Sequence, residues 1–239
     1  MKNWIWLIFV MMGCSSVYVP NARNSPLLRK AGEVQGSVGF GNGLDVQGAV
    51  AVTNHIGLMA NYSYEDRNSS QYSSNPSNDD YHYHNFFEGG LGYFENNGAW
   101  CYEIFAGYGR GEGASYDNYI WWGDQDVRAT GSYDRIFIQP AFGMNKKLFH
   151  LSFVPRISIV DFKDFETNAS TFVIDEHPKV FFEPAVLGRV NLINNRFFLG
   201  FQLGFSVPVA SDVFYQYRPV QFSTGLGFRF GGIHGATEE

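Results

Sequence analysis

From Glu33 to Phe230 the chain switches, residue by residue, between large apolar side chains and small, polar or charged ones. A period of two means β-strand, with a different environment on each face. Toward the C-terminus one face carries Phe197, Leu199, Phe201, Leu203, Phe205 and Val207. The other carries Phe198, Gly200, Gln202, Gly204 and Ser206. The last such stretch sets Val220, Phe222, Thr224, Leu226, Phe228 and Phe230 against Gln221, Ser223, Gly225, Gly227 and Arg229. The segments around Ile56–Tyr64 and Trp100–Tyr108 repeat the arrangement.

Ten segments alternate in this way: Glu33–Phe40, Leu44–Val52, Ile56–Tyr64, Tyr81–Phe94, Ala99–Gly109, Val127–Gly143, Leu148–Val160, Lys179–Leu192, Arg196–Val207 and Arg218–Phe230. Most reach the roughly 9 to 11 residues that a tilted membrane strand needs. Short turns rich in Asn and Gly fall at Thr53–His55, Glu95–Gly98, Asn145–Lys147 and Ile193–Asn195. Long polar connections fall at Glu65–Asp80, Arg110–Asp126, Asp161–Pro178 and Pro208–Tyr217, with a tight turn at Gly41–Gly43 on the same side. Short turns at one end and long loops at the other form the pattern of an outer-membrane barrel, the long loops facing outward. The expected fold is therefore all-β, a closed antiparallel transmembrane β-barrel of ten strands, with eight as the alternative. An even strand number puts both termini in the periplasm.

Composition separates this reading from a soluble sandwich. Aromatic residues make up 18% of the chain and charged residues 17%, against roughly 25% charged in an ordinary soluble domain. Open sheet edges carrying such apolar faces would aggregate, and closure removes the edges. The net charge is −6, which disfavours nucleic acid as a partner.

Residues 1–13 read as a signal peptide: Lys2, then a short apolar run from Trp4 to Met12, too short to span a bilayer. The run ends in Met11-Met12-Gly13-Cys14, followed by Ser15 and Ser16. This resembles a bacterial lipoprotein cleavage box, which implies acylation of Cys14. With Cys14 acylated, Cys101 has no partner for a disulfide. Residues 14–32 lack a period and contain Pro20 and Pro26, and are expected to form a lipid-anchored periplasmic tether. Residues 33–230 are the barrel and 231–239 a polar C-terminal tail.

Tyr18-Val19-Pro20-Asn21, Pro26-Leu27-Leu28, Gly32-Glu33 and the run from Ala51 to Asn61 together resemble a group of small uncharacterised outer-membrane β-barrel proteins of the Bacteroidota. The closing Leu226-Gly227-Phe228-Arg229-Phe230 is similar to the terminal aromatic signal read by the barrel-assembly machinery. The resemblance implies location and fold, and no activity.

Alternation places Asp45, Glu88, Glu103, Glu183, Arg135, Arg156, Arg189 and Arg229 in the lumen. An unpaired charge there is costly, so pairing across the interior is expected, with Glu88, Glu103 and Glu183 as partners for Arg156 and Arg189. Other constellations are weaker. His150-Leu151-Ser152 resembles the His-x-Ser pair of lipid A deacylase barrels, but lies at the periplasmic end and reads as lumen lining. Asp79, Asp80, His82 and His84 have the residue types of a metal site, yet fit the rim of a barrel as well. Tyr116, Tyr119, Trp121 and Trp122 form a candidate external contact loop. No catalytic residue, metal ligand or cofactor site is assigned. The expected role is a non-enzymatic, structural or interaction function in the cell envelope. A narrow passive channel for small solutes is the alternative, and a lipid-modifying barrel enzyme comes third. Expected partners are outer-membrane lipid and lipopolysaccharide, the barrel-assembly machinery during biogenesis, and another envelope protein.

Overall fold

A computed structural model describes residues 16–68, 81–117, 127–168, 177–193, 196–210, 213 and 215–231. The strands are β1 (Val34–Gly41), β2 (Leu44–Ala51), β3 (Ile56–Asn68), β4 (Tyr81–Asn97), β5 (Trp100–Asp117), β6 (Val127–Asn145), β7 (Phe149–Thr167), β8 (Lys179–Leu192), β9 (Phe197–Phe205), β10 (Val207–Pro208) and β11 (Val220–Phe230). From β1 to β9 each strand pairs antiparallel with the next, and β11 pairs with both β9 and β1, closing the sheet. The two residues of β10 continue β9 beyond Ser206 along the same neighbour, β8. The wall is thus a closed barrel of ten strands rather than eight.

The strands begin and end close to where the alternation does, except toward the long connections. There β3, β5 and β7 run on to Asn68, Asp117 and Thr167, into segments expected to be loops. The extensions are polar on their outer side, so the apolar period that marks the strands lower down is lost. On β5 the outward side chains are Trp100, Tyr102, Ile104, Ala106 and Tyr108, then Arg110 and Glu112. On the neighbouring strands the same switch falls between Ile136 and Asp134, and between Ile159 and Asp161. At that level Tyr108 donates to Asp134 (2.6 Å), Arg110 pairs with Asp134 (3.0 Å) and Lys163 pairs with Asp161.

Below the switch the outer face is continuous apolar surface, including Phe149, Leu151, Phe153, Ile157 and Ile159 on β7 and Phe197, Leu199, Phe201, Leu203 and Phe205 on β9, all exposed. From Phe149 to Ile159 the belt covers about 34 Å of strand, or about 26 Å of height at a tilt of about 40°. That matches the apolar band of a transmembrane barrel. Tyr93, Trp100 and Tyr102 mark its lower edge and Tyr108 its upper edge.

The β6–β7 ladder is interrupted between the pairs Ile138–Ile157 and Phe142–Phe153. Pro140 and Pro155 sit in this gap, and neither has an N–H to donate.

Candidate functional site: a lumen filled by the N-terminal segment

Residues 16–28 do not form a periplasmic tether. Ser16 through Leu28 are all buried, and they run lengthwise through the barrel. At one end the Val17 and Tyr18 N–H groups donate to the Gln216 carbonyl, and Arg218 N–H donates to the Tyr18 carbonyl (3.0 Å). Gln216 and Arg218 belong to the long connection before β11. At the other end Asn96 donates to the Leu28 carbonyl (3.0 Å), Arg29 donates to Asn145, and Ala31 N–H donates to Asn54 (3.0 Å). These partners lie at the short-turn end. The chain then turns through Gly32 (φ 80°) into β1. Ser16 and Gly231 therefore lie at opposite ends of the barrel, not at one shared end as an even strand number implied. Cys14 and the signal-peptide region lie outside the described residues.

The segment crosses three layers that match its own sequence. At the long-connection end Tyr18 packs against Tyr133, Phe181 and Tyr215, with ring centroids 5.3, 5.0 and 6.4 Å away. At the short-turn end Leu28 joins Met59, Phe94, Phe105 and Phe137. Between these apolar layers lie Asn21, Arg23, Asn24 and Ser25, and around them the charged side chains of the wall.

Pro20 and Pro26 keep the segment out of any helix, and it joins no ladder beyond a single bridge of Tyr18 to Tyr217. Its backbone groups must therefore find side chains, because a buried unpaired one is costly. The lumen supplies them. Ala22 N–H donates to Asp45 (3.2 Å), Arg23 N–H to Gln202 (3.0 Å) and Leu27 N–H to Glu103 (2.9 Å). In the other direction Gln221, Gln47, Gln139 and Gln35 donate to the carbonyls of Pro20, Ala22, Asn24 and Pro26, at 2.7, 2.9, 2.7 and 2.8 Å. Arg189 donates to the Ser25 carbonyl (2.7 Å). The inner wall thus treats the segment as a bound extended peptide.

Three glycines make room for it; a Cβ at Gly57 would stand 2.6 Å from the Leu28 side chain. A Cβ at Gly113 would stand 2.0 Å from the Val17 carbonyl oxygen, and one at Gly143 would stand 2.6 Å from the Leu27 side chain. Leu27 itself has φ of 50°, a conformation that costs an L residue on the order of 1–3 kcal/mol. Its N–H bond to Glu103 and its buried side chain hold it there.

All eight charged residues expected in the lumen are buried. Glu88 accepts from Arg135 (2.5 Å) and Arg156 (3.4 Å), and Glu183 accepts from Arg156 (3.0 Å). Arg23 of the segment lies 4.0 Å from Glu183. Asn21 sits at the centre: it donates to Glu88 (2.8 Å) and accepts from Arg135 (2.6 Å) and Arg156 (3.0 Å). Arg229 pairs with Glu33 (3.0 Å) near the short turns. Of the remaining three, Asp45 accepts from Ala22 N–H, and the other two pair otherwise than expected. Glu103 accepts from Ser25 (2.6 Å) and from Leu27 N–H instead of from an arginine, and Arg189 donates to Gln35 (2.9 Å) and to carbonyls of the segment. Tyr18, Asn21, Arg23, Asn24, Ser25, Leu27 and Leu28 were missed as lumen residues. The signal that could have exposed them is the apolar–polar–apolar order of Val17 to Leu28, facing a wall with an unusual number of inward Gln.

His150 and Ser152 lie buried near the short turns, where His150 contacts Asn191 (2.9 Å) and Arg229 (3.3 Å). His84 is buried and contacts the Tyr133 hydroxyl (3.0 Å), while Asp79 and Asp80 lie outside the described residues. Of the aromatic loop, Tyr116 lies within the last residues of β5 under the Arg128 guanidinium (4.8 Å), and Tyr119, Trp121 and Trp122 lie outside the described residues. A space of about 50 Å³ remains beside the segment near Arg23, Asp45, Arg189 and Gln202, room for a water molecule or two.

No protein-family model matches the chain, and no curated protein matches it in sequence. Among solved structures it is similar to the translocator domain of the autotransporter NalP from Neisseria meningitidis, with 10% identity and a TM-score of 0.46, covering 83% of this chain and 86% of that one. It is also similar to OmpT, an outer membrane protein of Vibrio cholerae, with 8% identity and a TM-score of 0.28, covering 83% and 95%.

Proposed function

We propose that this protein is a closed outer-membrane barrel with a structural or interaction role in the cell envelope, acting without enzymatic chemistry and anchored by an acylated Cys14. The long connections face outward, where they meet lipopolysaccharide or another envelope protein. The observation that carries the reading is the filled lumen. Residues 16–28 occupy the axis, aromatic and aliphatic layers close both ends, and the charged side chains between them are engaged with one another and with the segment. A channel needs a wetted path, and the charge network here is spent on holding a peptide rather than on lining a pore.

Ion conductance in planar bilayers tests this. The intact protein is expected to show no steady current. A variant lacking residues 16–28 that still gives the heat-modifiable band of a folded barrel is expected to conduct. Reproducible channels from the intact chain would restore the transport reading.

A further inference from the structure

We propose that residues 16–28 are one more crossing of the membrane, enclosed by the barrel, which delivers the chain upstream of Ser16 to the long-connection face, opposite the chain that follows Gly231. The direction is fixed by contacts at both ends: Val17 and Tyr18 bond the connection before β11, and Leu28 and Ala31 bond Asn96 and Asn54 at the short turns. Between these contacts the segment does not double back. Among the described residues, both ends of the segment are packed in apolar layers, and the space beside it near Arg23 and Asp45 would hold a water or two, too little for a second strand of chain. Gly113 is shaped for the chain at the upper end, because any side chain there would meet the Val17 backbone.

Which face is outside rests on the orientation proposed above; that the two ends lie on opposite faces does not. With the long connections outward, the N-terminal residues are displayed on the cell surface on a stalk that the barrel wall grips. Two peptide units reach at most about 7 Å from Ser16. The anchor proposed at Cys14 therefore enters the outer leaflet, not the periplasmic one, and pulling the stalk free would break its bonds to Asp45, Glu103, Gln202 and Gln221.

The test is labelling with a membrane-impermeant maleimide on intact cells and on cells with an opened outer membrane. Three single variants are compared: Ser15→Cys, Lys163→Cys on the exposed upper wall, and Glu239→Cys. The unsubstituted protein, with Cys101 buried and Cys14 proposed to be acylated, sets the background. Labelling of Ser15→Cys and Lys163→Cys on intact cells, with Glu239→Cys labelled only after opening, is the expected result. If Ser15→Cys instead behaves like Glu239→Cys, the enclosed crossing is overturned whichever way Lys163→Cys reports. If Ser15→Cys and Lys163→Cys both require opening while Glu239→Cys does not, the crossing stands and the outward orientation of the long connections is what fails.

Discussion

The two faces of the barrel wall obey different rules. Outside, Ile104, Phe153, Leu199 and their neighbours need only be apolar, because lipid is a partner without shape or polarity. Inside, each position answers to a particular atom of the N-terminal segment or of the charge network: Gln221 to the Pro20 carbonyl, Glu103 to Leu27 N–H, Arg156 to Glu88, Glu183 and Asn21 at once. The same strands therefore carry one face specified by class and one specified by geometry. Substitutions that respect class should be silent outside and damaging inside.

The largest expected effect of a single substitution is in the network. Arg156→Ala leaves Glu88 and Glu183 short of a partner in a buried site, and removing one member of a buried ion pair costs about 3–5 kcal/mol. A clear fall in the unfolding temperature of the purified barrel is expected; an unchanged one would mean that water, not protein, satisfies these groups. On the outer face the comparison is sharpened by two changes at one position. Ile104 sits at the centre of the β5 belt, so Ile104→Arg is expected to cost about 2–4 kcal/mol. Ile104→Leu keeps the class and is expected to change stability by less than about 0.5 kcal/mol. A large effect of Ile104→Leu, measured by the same unfolding, would show that the outer face is packed against a specific protein partner.

The outer face was legible in the sequence and the inner one only in part, for the same reason. Lipid imposes a period, and a period can be read without knowing the neighbours: the ten strands, the four short turns and the inward position of Arg135 or Glu183 all followed from it. The extensions of β3, β5 and β7 did not, because Arg110, Asp134 and Lys163 stand above the apolar belt and break the contrast between faces. Residues 16–28 were hidden more completely. A strand's period comes from its two faces, whereas a segment enclosed on every side has none. Its prolines and polar centre, in isolation, are those of a linker. Only the wall reveals its place, through the glycines opposite Val17 and Leu27 and the glutamines aimed at its carbonyls.

Amide hydrogen exchange of residues 16–28 in the folded barrel tests the enclosed segment most directly. The N–H groups of Ala22, Arg23 and Leu27 all have buried acceptors. They are expected to exchange as slowly as the central amides of β5 and β6, and to lose that protection in the Arg156→Ala variant before the strands do. Exchange of these three amides in the intact protein at the rate of an unstructured peptide would place the segment outside the barrel and contradict the account.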